Sequence, residues 1–191
     1  MKKLIMAFCL IVTIGFIWIW HHQIQFNDQS RKAFFHLKSG EFDQAINAYT
    51  IAIKHKKRTL FFSKAPSLYN NLGQAYLSKA QYDEAIAAFK HALEIKPDSV
   101  EVYINLATAY LKQNLPRRAL EACQQAIRIA PRSPFAHYNL ACAYALADDP
   151  AKAIDSLKSA IELDKQIIKY AQEERAFDTL RSHPQFPKSN P

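Results

Sequence analysis

The stretch NLGQAYLSKAQYDEAIAAFKHALEIKP, residues 71–97, decides the fold of this chain. Its small and apolar residues recur at three- and four-residue spacing in two groups: Leu72, Gly73 and Tyr76, then Ala85, Phe89 and Ala92. This spacing places each group on one face of a helix, so the stretch predicts two consecutive helices. Small side chains at fixed positions allow the two helices to approach closely. The stretch carries packing signals, and its sequence shows no paired catalytic acids, glycine-rich loop or metal-ligand cluster.

The same pattern returns with a period of 34 residues. Residues 69–97 align with residues 103–131 and again with residues 137–165. The aligned columns are Leu72, Leu106 and Leu140; Gly73, Ala107 and Ala141; Tyr76, Tyr110 and Tyr144; Ala85, Ala119 and Ala153; Ala92, Ala126 and Ala160. Pro116 and the pair Asp149-Pro150 fall where a second helix should begin, and both favour a helix start. A period in this range predicts an all-α solenoid of stacked helix pairs.

The best-defined unit resembles the tetratricopeptide repeat. It matches all eight signature positions of that family: Tyr69, Leu72, Gly73, Tyr76, Ala85, Phe89, Ala92 and Pro97. The next unit has Cys123 in the column of Phe89, and the last begins with His137 and has Lys165 where proline is usual. An earlier unit over residues 39–54 matches only the second helix, and it is about six residues longer before the next unit begins.

This resemblance implies a right-handed superhelical solenoid of antiparallel helix pairs, in which the first helix of each pair lines a concave surface. We expect a degenerate first repeat with a basic connection, three full repeats, and a capping helix with a tail: residues 23–65, 66–99, 100–133, 134–167 and 168–191. The last segment is similar to the tails that close such arrays, and we expect it to pack Phe186 against the final repeat.

The N-terminal segment, residues 1–22, differs from the rest in composition. Lys2 and Lys3 precede an uncharged run from Leu4 to Trp20, which makes about 25 Å of helix at about 1.5 Å per residue. We expect an uncleaved transmembrane signal-anchor, because the run lacks the small residues of a cleavage site at its end. A cleaved signal peptide on a secreted protein is the alternative, and a buried helix is a further one.

The charges that flank this run predict its orientation. Two lysines stand at the N-terminal side, and the other side has no Lys or Arg before Arg31. We expect the N-terminus in the cytoplasm of a bacterium and the C-terminal domain in the periplasm or outside the cell, as a single-pass inner-membrane protein. The opposite orientation stays open because Arg31, Lys32 and Lys38 lie close to the run.

The predicted concave surface is the candidate binding site. One asparagine per repeat directly precedes the leucine of the repeat pattern, and its amide offers both a donor and an acceptor to an extended peptide. The alternative is that these asparagines only brace helix contacts. Family members that clamp a C-terminal carboxylate carry Lys and Arg in these columns, which this chain does not, so we expect an uncharged or mildly apolar peptide. The groove residues are Asn70, Asn71, Gln74, Ile104, Asn105, Thr108, Phe135, Tyr138 and Asn139.

The formal net charge of +8 indicates an acidic partner or an anionic membrane surface. A basic run in the predicted connection could dock lipid headgroups, but we favour a solvated helix end as its explanation; its residues are Lys54, Lys56, Lys57 and Arg58. The sequence shows no second basic face, so we expect no nucleic-acid partner. Cys123 falls in a core column and Cys142 on the groove side, so we expect no disulfide between them.

These observations favour a membrane-anchored scaffold that binds a partner protein in its groove, in the assembly of an envelope complex. The histidines are scattered, His21 and His22 are adjacent rather than one helical turn apart, and the sequence identifies no activated nucleophile. We therefore expect no enzyme activity, no cofactor and no metal. The sequence does not indicate the oligomeric state or the partner.

Overall fold

The structure, a computed structural model, describes residues 2–57 and 65–188. Every regular element in these two ranges is helical, so the predicted all-α fold is confirmed. The elements are α1 (Lys2–Lys38), α2 (Phe42–Lys57), α3 (Pro66–Ser78), α4 (Tyr82–Ile95), α5 (Val100–Lys112), α6 (Pro116–Ile129), α7 (Pro134–Leu146), α8 (Pro150–Leu163), α9 (Ile167–Glu173) and a 3₁₀ turn (Arg175–Phe177). The chain divides into two compact units, residues 1–80 and 81–191.

Unit 1 contains α1, α2 and α3. Helix α1 is 37 residues long, which corresponds to about 55 Å. It packs against α2, and α2 packs against α3. The helix contacts are made by small residues around one large side chain, and Ala33, Ala45, Tyr49 and Ala52 are all nearly or fully inaccessible to solvent.

Helix α1 contains the segment that was expected to form the membrane anchor. Within the described residues, no helix is both long and apolar enough to cross a membrane, so the transmembrane helix expected over residues 1–22 is not supported. The apolar run stops at Trp20, and the same helix continues with His21, His22 and Gln23 as far as Lys38. No helix end marks residue 22, and the domain boundary placed there stays a prediction.

Unit 2 is built from the helix pairs α5–α6 and α7–α8, with α4 packed on α5 and α6 packed on α7. The small-residue columns lie at the crossings as expected. Ala119 and Ala153 are fully buried, as are Ala126 and Ala160 about two turns further along the same helices. The absence of longer side chains at these positions allows the paired helices to approach closely.

The turn between the two helices of each repeat also follows the period. Ala80, Asn114 and Asp148 each adopt a left-handed backbone conformation, with φ of 56°, 57° and 59°. Gly40 does the same after α1, with φ of 76°. The 40-residue separation of Gly40 and Ala80 agrees with the longer first unit expected from the sequence.

The predicted helix starts are confirmed at both prolines. Pro150 is at the first turn of α8, and the side chain of the preceding Asp149 accepts a hydrogen bond from the backbone N–H of Lys152 at 3.2 Å. Pro116 occupies the equivalent place in α6. Each proline uses a position whose N–H has no partner within the helix.

The C-terminal segment packs on the last repeat. Helix α9 buries Ile167 and Ala171, and the turn after it buries Phe177 completely. The chain then returns so that Phe186 lies against Phe177, with 5.9 Å between the ring centroids. These residues share one apolar core with α7 and α8, which puts Phe186 in the kind of position expected for a capping tail.

Candidate functional site

A groove of about 500 Å³ lies within unit 2, between the first helices of two repeats and the segment that follows α9. Helices α5 and α7, which are in contact with each other, supply its two long sides. Residues 174–176 close one end. The lining residues are Ile104, Thr108, Leu111, Lys112, Phe135, Tyr138, Asn139, Cys142, Leu146, Glu174, Arg175 and Ala176.

The walls of the groove are mostly apolar and aromatic. Phe135 and Leu146 expose 46% and 37% of their surface, at opposite ends of α7. The ring of Tyr170 from α9 lies 6.2 Å from Phe135 and 6.5 Å from Tyr138, measured between centroids. The capping segment therefore covers part of this aromatic cluster and leaves part of it in contact with solvent. Exposed aromatic and aliphatic side chains of this kind are typical anchors for a partner side chain.

The floor of the groove carries no charge at neutral pH. Burial raises the pKa of the Cys142 thiol well above its usual range, and the nearby Glu174 carboxylate raises it further. Burial likewise raises the pKa of the Tyr138 hydroxyl, which interacts with the Cys142 sulfur. Both groups are therefore protonated and neutral, and the thiol is a poor nucleophile in this state.

Asn139 is turned into the protein rather than toward the groove opening. It is 6% exposed, and its Nδ2 donates to the Ile104 carbonyl oxygen at 3.1 Å and to Thr108 Oγ1 at 3.0 Å. Both acceptors belong to α5, so the amide joins α7 to α5. This is the bracing role that the sequence left open for the asparagine column.

Among the described lining residues, the charged side chains are Lys112, Glu174 and Arg175, at the end of the groove that residues 174–176 close. Lys112 Nζ lies 4.0 Å from the Glu174 carboxylate, and both side chains are partly solvated. Arg181 Nη2 donates to the backbone oxygen of Glu174 at 2.7 Å, which fixes this end of the groove. The solvent-exposed ion pair contributes little stability, so a ligand could displace it at low cost.

Five of the nine predicted groove residues come together here: Ile104, Thr108, Phe135, Tyr138 and Asn139. Asn105 lies on α5, half-buried and outside the lining set. Asn70, Asn71 and Gln74 lie on α3 in unit 1, where Asn70 is only 4% exposed and Asn71 approaches the buried Tyr49 hydroxyl without a hydrogen bond of normal geometry. A ligand contact at these positions stays a prediction.

The candidate lipid-binding residues are described only in part. Lys54 is exposed near the end of α2. The side chains of Lys56 and Lys57, and all of Arg58, lie outside the described residues. The lipid-headgroup interpretation of this run therefore stays a prediction.

Several lining residues were not predicted from the sequence. One 34-residue period after Leu111 is position 145, so Leu146 lies one position beyond the equivalent of Leu111. The period alone therefore does not place both leucines on the inner surface. Glu174, Arg175 and Ala176 come from the capping segment, outside the period. The one signal for these three residues was the expectation that the last segment closes the array and packs Phe186 against the final repeat.

Cys123 and Cys142 are both buried free thiols. Burial raises the pKa of the Cys123 thiol to about 12, as expected for a cysteine that acts as a small apolar side chain. Within residues 2–57 and 65–188, no group of three or more His, Cys, Asp or Glu side chains converges to hold a metal ion.

Comparison with known proteins supports the repeat assignment. A family model described as "TPR repeat" matches residues 73–114, and models described as "Tetratricopeptide repeat" match residues 100–133 and 134–167. A 69-residue part of the chain is 32% identical to Superkiller complex protein 3 of Mus musculus, and this part is 36% of the chain and 4% of that protein. The chain thus spans a small fraction of this relative.

Solved structures share the fold. The crystal structure of MamA protein has a TM-score of 0.68 and 22% identity, with 81% of each chain covered. TTC0263, a thermophilic TPR protein of Thermus thermophilus, has a TM-score of 0.66 and 20% identity, with 82% of this chain and 83% of that one covered. Identities this low show the fold alone. The chain is an all-α solenoid with tetratricopeptide repeats, which defines a protein-interaction module.

Proposed function

We propose that the protein is a non-enzymatic scaffold that binds a segment of a partner protein in the groove of α5 and α7. The observation that carries this proposal is the open apolar groove, whose exposed Phe135 and Leu146 have no apolar partner that covers them fully. Apolar side chains that converge on a concave surface gain about 25 cal/mol for each Å² that a ligand removes from water.

The lining residues define the chemistry of the partner segment. The floor is neutral, because Cys142 and Tyr138 are protonated, so it favours an uncharged side chain. The walls favour an aliphatic or aromatic residue that fits between Ile104 and Phe135. Lys112 and Arg175 at the end that residues 174–176 close favour an acidic or carbonyl-rich flank on the same segment. We infer a partner segment with one apolar anchor followed by a polar or acidic stretch.

A cross-linking capture experiment on cells that express the full-length protein tests the groove. The double variant Phe135→Ala/Leu146→Ser removes two exposed apolar side chains, and we expect at least about tenfold less partner captured, as for loss of a binding hot spot. Lys158→Ala, on an exposed position of α8 outside the groove lining, is the matched control and should capture the partner at the parental level.

Far-UV circular dichroism and thermal unfolding must be unchanged in all variants for the comparison to hold. Because Asn139 braces α5 against α7, its substitution would mix a packing effect with a binding effect, and it is not used here. Equal capture by the parent and the Phe135→Ala/Leu146→Ser variant would show that the partner binds elsewhere.

We propose further that the N-terminal part of α1 attaches the protein to a membrane, with unit 2 on the extracytoplasmic side of a bacterial inner membrane, where it serves envelope complex assembly. The support is the exposed apolar surface of this segment. Leu10, Val12, Phe16 and Trp18 expose between 38% and 69% of their surface, and their positions in the sequence place them on different sides of the helix. A helix that is apolar all round needs an apolar environment such as lipid.

Alkaline extraction of cell membranes tests the attachment. We expect the full-length protein to stay in the membrane pellet, and the Ile14→Lys/Ile17→Lys variant to move to the extract, because charged side chains in lipid are costly. A C-terminal alkaline phosphatase fusion, active only outside the cytoplasm, tests the orientation. An intact mass that corresponds to a chain starting after Trp20 would instead support the alternative of a secreted protein whose signal peptide is cleaved.

A further inference from the structure

Two histidines from different helices of unit 1 meet at the contact between α1 and α2. His22 Nδ1 lies 2.9 Å from His55 Nδ1, although the residues are 33 positions apart in the chain. His22 is 6% exposed, and His55 is half-buried near the end of α2. The rings of Trp18 and His22 pack edge to face, with 4.3 Å between centroids and an interplanar angle of 77°, so packing restricts the orientation of the His22 ring.

This arrangement is close to that of two imidazoles on one metal ion. Zinc–nitrogen bonds of about 2.0–2.1 Å in a tetrahedral site place the two ligand nitrogens about 3.4 Å apart, so the pair would open by about 0.5 Å. The same geometry separates two imidazole centroids by about 5 Å. The centroids of His22 and His55 are 5.2 Å apart. A small rotation of the half-buried His55 ring is enough to admit an ion between the facing nitrogens.

We propose that His22 and His55 together bind a divalent transition-metal ion such as Zn²⁺, which ties α1 to α2. Imidazole nitrogen is a preferred ligand for zinc, copper and nickel, and both facing atoms are Nδ1. Among the described residues, no third His, Cys, Asp or Glu joins this group. Water would complete the coordination of an ion held by these two ligands. The site lies in unit 1 and is independent of the groove function.

Isothermal titration of tag-free, full-length protein in detergent micelles with zinc chloride, at pH 7.5 in a buffer without chelators, tests the site. We expect one zinc ion per chain, bound at least about tenfold more weakly by His55→Gln and by His22→Gln, because each variant removes one of two ligands. The double variant should lose no more zinc affinity than each single variant does, since all three variants remove the same site. Zinc should also raise the unfolding temperature of the parent and leave that of His55→Gln unchanged.

His91→Gln is the matched control. His91 is an exposed histidine whose Nδ1 lies 2.9 Å from the Glu94 carboxylate, so it is a competing surface position for a metal ion. Its substitution should leave zinc binding unchanged. His55 is half-buried, so this variant stays informative if His22→Gln fails to fold. Parental zinc affinity in His55→Gln, or a parent that binds no zinc, would overturn the proposal and leave the pair as a hydrogen bond between helices.

Discussion

Asn139→Ala removes an amide that links two inner helices of unit 2. In the native structure the Nδ2 group donates to Ile104 O and to Thr108 Oγ1, both on α5, and the side chain is almost fully buried. The substitution leaves both oxygens with another partner, because Thr108 Oγ1 itself donates to Ile104 O at 3.0 Å. No buried acceptor is therefore left without a hydrogen bond.

The expected loss follows from this geometry. Two neutral hydrogen bonds of about 1 kcal/mol each give a decrease of about 2 kcal/mol in the free energy of unfolding, with no added penalty for an unsatisfied acceptor. For a chain of this length, that corresponds to a decrease of about 4–8 °C in the unfolding temperature. Asn139→Asp should lower the free energy of unfolding more than Asn139→Ala does. The substitution places a carboxylate, which has no proton to donate, against two oxygen acceptors.

Urea unfolding followed by far-UV circular dichroism measures these changes. Thr108→Val should cost about 2 kcal/mol, because it removes the hydrogen bond that Thr108 Oγ1 accepts from Asn139 and the one that it donates to Ile104 O. The double variant Asn139→Ala/Thr108→Val should cost about 1 kcal/mol less than the sum of the single variants, since both remove the same Asn139–Thr108 bond. If Asn139→Ala changes the free energy of unfolding by less than about 0.5 kcal/mol, and Asn139→Asp is no worse, the bracing role of this amide is refuted.

Three further predictions concern the turns and the buried thiols. Ala80→Gly should raise the free energy of unfolding by about 0.5–1 kcal/mol in urea titrations, because alanine is strained at φ of 56°; an unchanged or lower value would contradict this strain. Asp149→Ala should lower the unfolding temperature at pH 7, since its helix cap is lost. Hydrogen bonding to Lys152 holds the pKa of the Asp149 carboxyl below its usual 3.8, so the cap contributes its full stability above that pH. The difference in unfolding temperature between the parent and Asp149→Ala should therefore disappear as the pH falls through the lower native pKa. A difference in calorimetric unfolding temperature that persists in strong acid would exclude the cap as its cause. Cys123 and Cys142 should react with iodoacetamide at pH 8 at least about a hundredfold more slowly in the native protein than in urea, as measured by peptide-level mass spectrometry. Rapid labelling of the native protein would show that the two thiols are not buried.

The repeat architecture was predictable because its cause is local. Each crossing between helices needs a small side chain, and the alanine columns at Ala119 and Ala153 supply one at a fixed distance along the chain. The turn that follows each first helix needs one left-handed residue, which again recurs with the period, at Asn114 and Asp148. A pattern that is repeated in sequence can be read from the sequence, and the fold follows from stacking.

The role of the asparagine column was less predictable. The position of a residue in a helix gives the face on which its side chain lies, but it does not give the partners that the side chain meets. Asn139 and Asn105 occupy equivalent places in consecutive repeats, yet only Asn139 is more than nine-tenths buried. Its amide reaches α5 because Thr108 offers a hydroxyl there, and the corresponding residue of another repeat differs. Periodicity assigns the helix face, whereas the neighbour on the adjacent helix decides whether the side chain braces the fold or faces a ligand.

The N-terminal helix shows that a change of composition does not by itself end a helix. Between Phe16 and Ser39 the sequence has no glycine and no proline, so nothing ends the helix at residue 22. The first residue that ends it is Gly40, at φ of 76°. The change from apolar to polar residues therefore occurs within α1, and it alters the surroundings of the helix rather than its backbone.

The segment after α9 shows why part of the groove was beyond sequence patterns. Glu174 and Arg175 line the groove because Phe177 is drawn into the core of the last repeat, where its ring packs 6.1 Å from Tyr138 and 5.9 Å from Phe186. The burial of one aromatic ring positions the charged residues that precede it. Since Tyr138 belongs both to this core and to the groove floor, changes at the cap reach the binding surface. A substitution of Phe186 would loosen Phe177 first and, through Tyr138, the groove that the repeats build.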